Sequence, residues 1–216
     1  MKTKTIWTIV IIVGLYVAAQ LIADVAATKF IQIGAVVMPG GTLIFALSFT
    51  LRDMVHKRLG KEWARAAIVI AAGLNVLLVA YIYLVASLPA PGFYARAEAW
   101  SAIFYIIPSI TIGSIIAEVS SGWMNTEIYH AWWKKFPKLP QWTRVLSSNA
   151  ISLPVDSLIF SLLAFVVLPP LFGAESMEFG AAIARVAGGQ TLYKLLVAVL
   201  SMPLIYTVKE KSVLDE

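Results

Sequence analysis

The sequence predicts an all-α, polytopic membrane protein with six transmembrane helices and both termini in the cytoplasm. Three observations carry that prediction. Of 216 residues, 60% are hydrophobic and only 13% charged, with mean hydropathy +0.82, more apolar surface than a water-soluble domain of this size can hide. Six apolar runs of spanning length follow one another, separated by short polar or Pro/Gly-rich breaks. Lys and Arg alternate between the intervening segments. With the N-terminus inside, thirteen are cytoplasmic (Lys2, Lys4, Arg52, Lys57, Arg58, Lys61, Arg65, Lys134, Lys135, Lys138, Arg144, Lys209 and Lys211) and only Lys29, Arg96 and Arg185 are outside, the bias expected of inner loops. So short a chain has room for one transmembrane domain over residues 1–216 and little else.

The first span covers residues 6–27, too long for a signal-peptide core and without a convincing cleavage site. The second covers 36–55, and its Pro39-Gly40-Gly41 triplet leaves two possibilities. The stretch 42–51 is about ten residues, roughly 15 Å as a helix, half the hydrocarbon thickness. Irregular backbone at 35–41 would then line a cavity, since lipid cannot satisfy free N–H and C=O groups. Alternatively an ordinary helix starts near Gly41, with the triplet in the outer loop. Either way the segment ends on Arg52-Asp53 and a basic run, charges that must meet water or protein.

The third span covers 64–88 and stops at Pro89 and Pro91. The fourth starts near Glu98 and persists past Gly122 toward Trp133; that is longer than a bilayer requires, so it tilts, kinks at Pro108 or Gly113, or emerges. The fifth, 145–168, closes on Pro169-Pro170, and the sixth, 179–208, carries Gly188-Gly189. Tyr94, Trp100, Trp132, Trp133 and Trp142 suit interfacial anchoring, while Trp100 and Trp123 are also placed to reach a cavity. Ala19, Ala23 and Ala27 form a small-residue series that permits close helix approach, within the chain or against a partner.

Polar residues inside spans are the candidate site. Even lenient insertion scales charge about 2.5–3.5 kcal/mol for a central Asp, yet Asp24, Glu118 and Asp156 all fall in predicted spans. Gln20 and Asp24 are four apart on one face, and Asn149, Ser152 and Asp156 form a stripe. Asn75 is the strongly polar residue of the third span, and Ser120, Ser121 and Asn125 follow Glu118. Phe45, Phe49, Phe104 and Tyr105 offer aromatic faces to a planar ligand. The plainer alternative is helix-to-helix bonding, with Lys29, Arg144 or Lys194 as ionic partners. Such bonds average only about 0.6 kcal/mol in membranes, a weak reason to keep an acid.

Other chemistries find no support. Without cysteine there is no disulfide or thiolate. His56 and His130 lie far apart in sequence, with no HExxH or ligand-spaced carboxylates, so no metal or other cofactor is expected. No phosphate-binding loop or GxSxG argues for an enzyme. The net charge of +5 suits anionic lipid rather than nucleic acid.

Three blocks carry a family resemblance: ADVAATKF at 23–30, PGGTLIFALSFTLRDMVHKRLGKEWAR at 39–65, and RVLSSNAISLPVDSLIF at 144–160. They resemble the vitamin uptake transporter family, whose queuosine-precursor transporters import deazapurines such as 7-cyano-7-deazaguanine. The resemblance covers nearly the whole chain. It implies a six-helix fold similar to the substrate-binding subunits of energy-coupling-factor importers, a multi-pass protein of the inner (plasma) membrane. By position, Arg52, Asp53 and Gly60 match the family's charged loop, Arg144, Ser148 and Asp156 its fifth-helix signature, and Glu118 with Asn125 its polar fourth helix. Asp24 stands in place of an expected Asn and Ala46 in place of a more usual Pro.

A deazapurine is flat and presents a guanine-like edge of N–H donors, which a carboxylate can accept in pairs. The expectation is that Asp156 or Glu118 reads that edge, Asn75, Asn149 and Ser152 add polar contacts, Phe45 stacks, and Asp24 lies in the same interior. A buried acid is also a candidate for coupling uptake to protons. Arg52, Asp53 and Arg144 are expected to close the cytoplasmic side, or simply to anchor loops. The partners expected are a small-molecule substrate and the bilayer. A homodimer, and an ATP-driven energy-coupling module docked on the alanine series, are the assemblies left open. A structural protein whose polar residues only glue helices is the remaining alternative.

Overall fold

The structure, a computed structural model, describes residues 3–104, 106–172 and 175–208. Tyr105, Lys2, Lys209 and Lys211, and the side chain of Lys4, lie outside what it describes. The chain is overwhelmingly helical, as its composition requires. In order come α1 (Thr3–Ala26), a hairpin of β1 (Phe30–Ile33) and β2 (Val36–Pro39), α2 (Thr42–Leu59), α3 (Lys61–Ser87), α4 (Ala97–Phe104), α5 (Ile107–Lys135), α6 (Gln141–Leu162), a short α7 (Phe179–Ala181) and α8 (Gly188–Ser201). Wide π-type turns extend α6 over Leu163–Val167 and join α7 to α8 over Ala182–Ala187.

Four of the described helical segments are long and apolar enough to cross a membrane: Ile6–Ala26, Lys61–Ser87, Gln141–Val167 and Phe179–Thr207. Their outer faces are apolar; α3 exposes Val69, Ile70, Val76, Leu77, Tyr81 and Leu84. A multi-pass membrane protein presents such faces to lipid. Inside this shell lies α2, buried along nearly its whole length, including Arg52, Asp53, His56 and Lys57. Its charges therefore meet protein. Beside it runs α5, whose buried face carries Ser114, Glu118, Ser121 and Asn125.

Two boundaries differ from the sequence expectation. Residues 36–39, placed in a helix, form a strand antiparallel to residues 30–33, in register Phe30↔Pro39 through Ile33↔Val36. Branched side chains on both arms favour extended backbone, and Gly34 supplies the φ of 60° that the turn needs. The helix accordingly starts at Thr42, near the second of the two positions the triplet allowed. The long fourth helix is likewise two: α4 ends at Phe104, and α5 starts anew with Pro108 in its first turn, where a missing N–H costs nothing.

Glycine sets the tightest contact. A methyl group on Gly41 would stand 2.0 Å from the Ala23 carbonyl oxygen, so only glycine lets α2 start against α1. Ala19, Ala23 and Ala27 are correspondingly buried, at 3%, 4% and 5% exposure. The alanine series therefore packs within the chain and is not a surface for a partner.

Basic residues gather at one end. Gly60, with φ of 95°, turns α2 into α3 there. Lys57 Nζ donates to the Ile205 carbonyl at 2.8 Å, and Lys61 Nζ to Glu127 at 2.7 Å, with Arg65 also bonded to Glu127. Trp142 is exposed at this end as an anchor would be, but Trp133 is buried at 6% exposure, its ring 5.3 Å from the Arg144 guanidinium. Trp123, placed as a possible cavity residue, instead lies at the surface beneath Arg65. The hairpin occupies the opposite end.

Candidate functional site

Just beneath the hairpin, α1, α2, α5, α6 and α8 surround a pocket lined by Asp24, Phe45, Ser114, Asp156, Phe160, Gln190 and Lys194, with Pro39 and Gly41 at its rim. Its free space is about 20 Å3, room for roughly one water. A heterocycle therefore enters only if side chains move.

Asp156 is the best-connected acid there. It is 1% exposed; Ser121 Oγ donates to its Oδ1 at 2.7 Å and Lys194 Nζ to its Oδ2 at 2.6 Å. The same ammonium lies 4.8 Å from the centre of the Phe45 ring, within cation–π range. Two residues before Asp156, Pro154 interrupts the α6 hydrogen-bond ladder, because proline brings no N–H. Across the pocket, Asp24 is 2% exposed and its Oδ2 has no partner. Lys29, a potential ionic partner for it, is exposed near the hairpin and makes no ion pair with it among the described residues.

A polar column continues from the pocket toward the basic end. Glu118 accepts from the Tyr16 hydroxyl and from Gln20 Nε2, while its Oε2 is buried without a partner. Asn125 Nδ2 donates to Asn149 Oδ1 at 2.8 Å and to Ser152 Oγ at 2.9 Å. Farther along, the Arg52 guanidinium lies 4.7 Å from the Phe49 ring centre, leaving its Nε and Nη2 unpartnered. His56 then packs on Tyr129 at 4.5 Å between ring centres, and Arg144 Nη1 donates to Gln141 Oε1 at 3.3 Å.

The sequence-predicted residues thus divide into four groups. Asp24, Phe45 and Asp156 line one pocket, though they come from α1, α2 and α6. Glu118, Asn149 and Ser152 are buried in the column behind its wall and do not line it. Asn75 is fully buried on α3 with neither amide atom bonded, and it too is outside the lining. Arg52, Asp53 and Arg144 are all buried toward the basic end, each under 5% exposed. The pocket also takes Gln190 and Ser114, which sequence reasoning misses, and Lys194, expected only as an ionic partner. Gln190 and Lys194 are four apart in an apolar run, the same signal that singled out Gln20 and Asp24.

Comparison with known proteins identifies the family. The family model described as "Putative vitamin uptake transporter" matches residues 39–208. The "Probable queuosine precursor transporter" of Bacillus subtilis (strain 168) is 24% identical over 202 residues, 92% of this chain and 83% of that protein. No solved structure matches the chain. The chain belongs to the vitamin uptake transporter family, and it is a membrane transporter rather than an enzyme.

Proposed function

We propose that the chain imports queuosine precursors, 7-deazapurines such as 7-cyano-7-deazaguanine or related nucleobases, across the inner (plasma) membrane. The observation that carries this reading is the pairing of a buried carboxylate, Asp156, with an aromatic face, Phe45, in one pocket. A donor-rich edge and a flat ring need those two surfaces. The likeness to a queuosine precursor transporter over 202 residues points to the same class.

In this reading the chain is one transmembrane domain with six crossings and both termini inside. The two crossings beyond the four apolar segments are α2 and α5, whose charge faces protein rather than lipid. The basic end is the cytoplasmic one. Arg52, Asp53 and Arg144 close that side, and Glu118, Asn149 and Ser152 hold the pocket walls in register.

Reconstitution of the purified chain alone into liposomes tests the reading. Uptake of 7-cyano-7-deazaguanine, competed by related deazapurines, is the expected result. Retention of substrate binding with no uptake until an ATPase module is added would replace it with an energy-coupling subunit. Failure of deazapurines, purines and vitamins alike to stabilise the protein thermally would replace it with a structural role.

A further inference from the structure

The proposed reading gives Asp156 the task of accepting a substrate's N–H donors, yet both its oxygens are already engaged. Ser121 occupies Oδ1 and Lys194 occupies Oδ2. The Lys194 ammonium also covers the Phe45 ring. It therefore makes the two contacts that a donor-bearing heterocycle would make, a carboxylate bond and a ring-face contact. A buried ammonium cannot simply be turned out, because an unpaired charge in the interior is strongly unfavourable. A second acceptor must receive it.

The same pocket contains one. Asp24, opposite on α1, is buried, lines the cavity with Lys194, and has an Oδ2 atom bonded to nothing. Lysine is suited to such a transfer, being a compact charge on a flexible four-carbon stem. We infer that Lys194 is a tethered occupant of the substrate's subsite: an incoming heterocycle displaces it from Asp156 and Phe45, and Asp24 takes its ammonium while substrate is bound.

The exchange rests on the substrate reading above but makes separate claims. With Lys194 on Asp156, Asp24 carries no charge pair; with substrate bound, it does. Coupling between Asp24 and Lys194 is therefore stronger in the complex than in the free protein, where the two share a cavity without a direct pair. A double-mutant cycle on the full-length chain in detergent measures it. Affinity for 7-cyano-7-deazaguanine and the thermal midpoint without ligand would be determined for wild type, D24N, K194M and D24N/K194M.

K194M removes the competitor and should bind about ten-fold tighter, within the usual range of coupling between sites. D24N should bind about ten-fold more weakly when Lys194 is present and change affinity less than about two-fold when it is not. Without ligand, the two substitutions should couple less strongly in the midpoint than they do in affinity. If K194M does not fold, K194Q supplies the second background. Equal weakening by D24N in both backgrounds would overturn the exchange, as would weaker binding by K194M, which would make Lys194 a direct ligand. Binding by the Lys194 variants alone would support the occupant role. No binding by any of the four proteins would remove the substrate reading itself, and the exchange with it.

Discussion

Toward the hairpin, Asp156 and Lys194 pair beside free space; toward the basic end, Arg52 and Arg144 lie against aromatic rings. Both regions bury charge, the first from α1, α6 and α8 and the second from α2 and α6. Both leave buried polar atoms unbonded, Asp24 Oδ2 in the first and Arg52 Nε and Nη2 in the second, but in the first the charged groups line a cavity. In the second, the guanidinium groups of Arg52 and Arg144 lie over Phe49 and Trp133, beside a stacked pair, His56 and His130, at 5.8 Å. The difference is instructive: charge next to space can change partners, whereas charge pressed on aromatic surface seals. We propose recognition for the first region and closure for the second.

That contrast breaks most sharply at Asp156. Replacing it with Asn should cut deazapurine uptake about a hundred-fold, the scale of losing a charge-assisted bond in a buried site. Arg52→Met should separate the two regions: uptake falls about ten-fold because closure is impaired, while equilibrium binding stays within about two-fold. Equal losses of binding and uptake in that variant would extend the pocket to the Arg52 layer. Phe45→Leu keeps an apolar wall but loses the ring, and should weaken binding about three- to ten-fold, the usual worth of an aromatic contact. Smallest is Glu127→Gln, at the basic surface. Its pairs with Lys61 and Arg65 are partly exposed, so stability should fall by about 1 kcal/mol or less, read as a small drop in thermal midpoint with unchanged binding.

Much of the fold was legible because a helix in lipid must be both long and apolar. The polar stripes were legible too: Asp24 and Asp156 stand out because hydrocarbon tolerates them poorly. The hairpin was not. Its arms are only four residues each, too short for alternation to separate strand from helix, and Pro39 drew attention to the following helix instead. Hydropathy alone likewise undervalues α2 and α5, because helices enclosed by others are free to carry Arg52, Asp53 and Glu118. Which acid faces the cavity was also hidden. Glu118 and Asp156 have similar sequence surroundings, and only packing places one against Tyr16 and the other at the pocket.

The most direct measurement compares equilibrium binding of 7-deazaguanine and its analogue lacking the 2-amino group, in wild-type protein and in D156N. Wild type should prefer the amino compound, and the substitution should abolish the preference. A D156N protein that keeps both the affinity and the preference would contradict this role of Asp156.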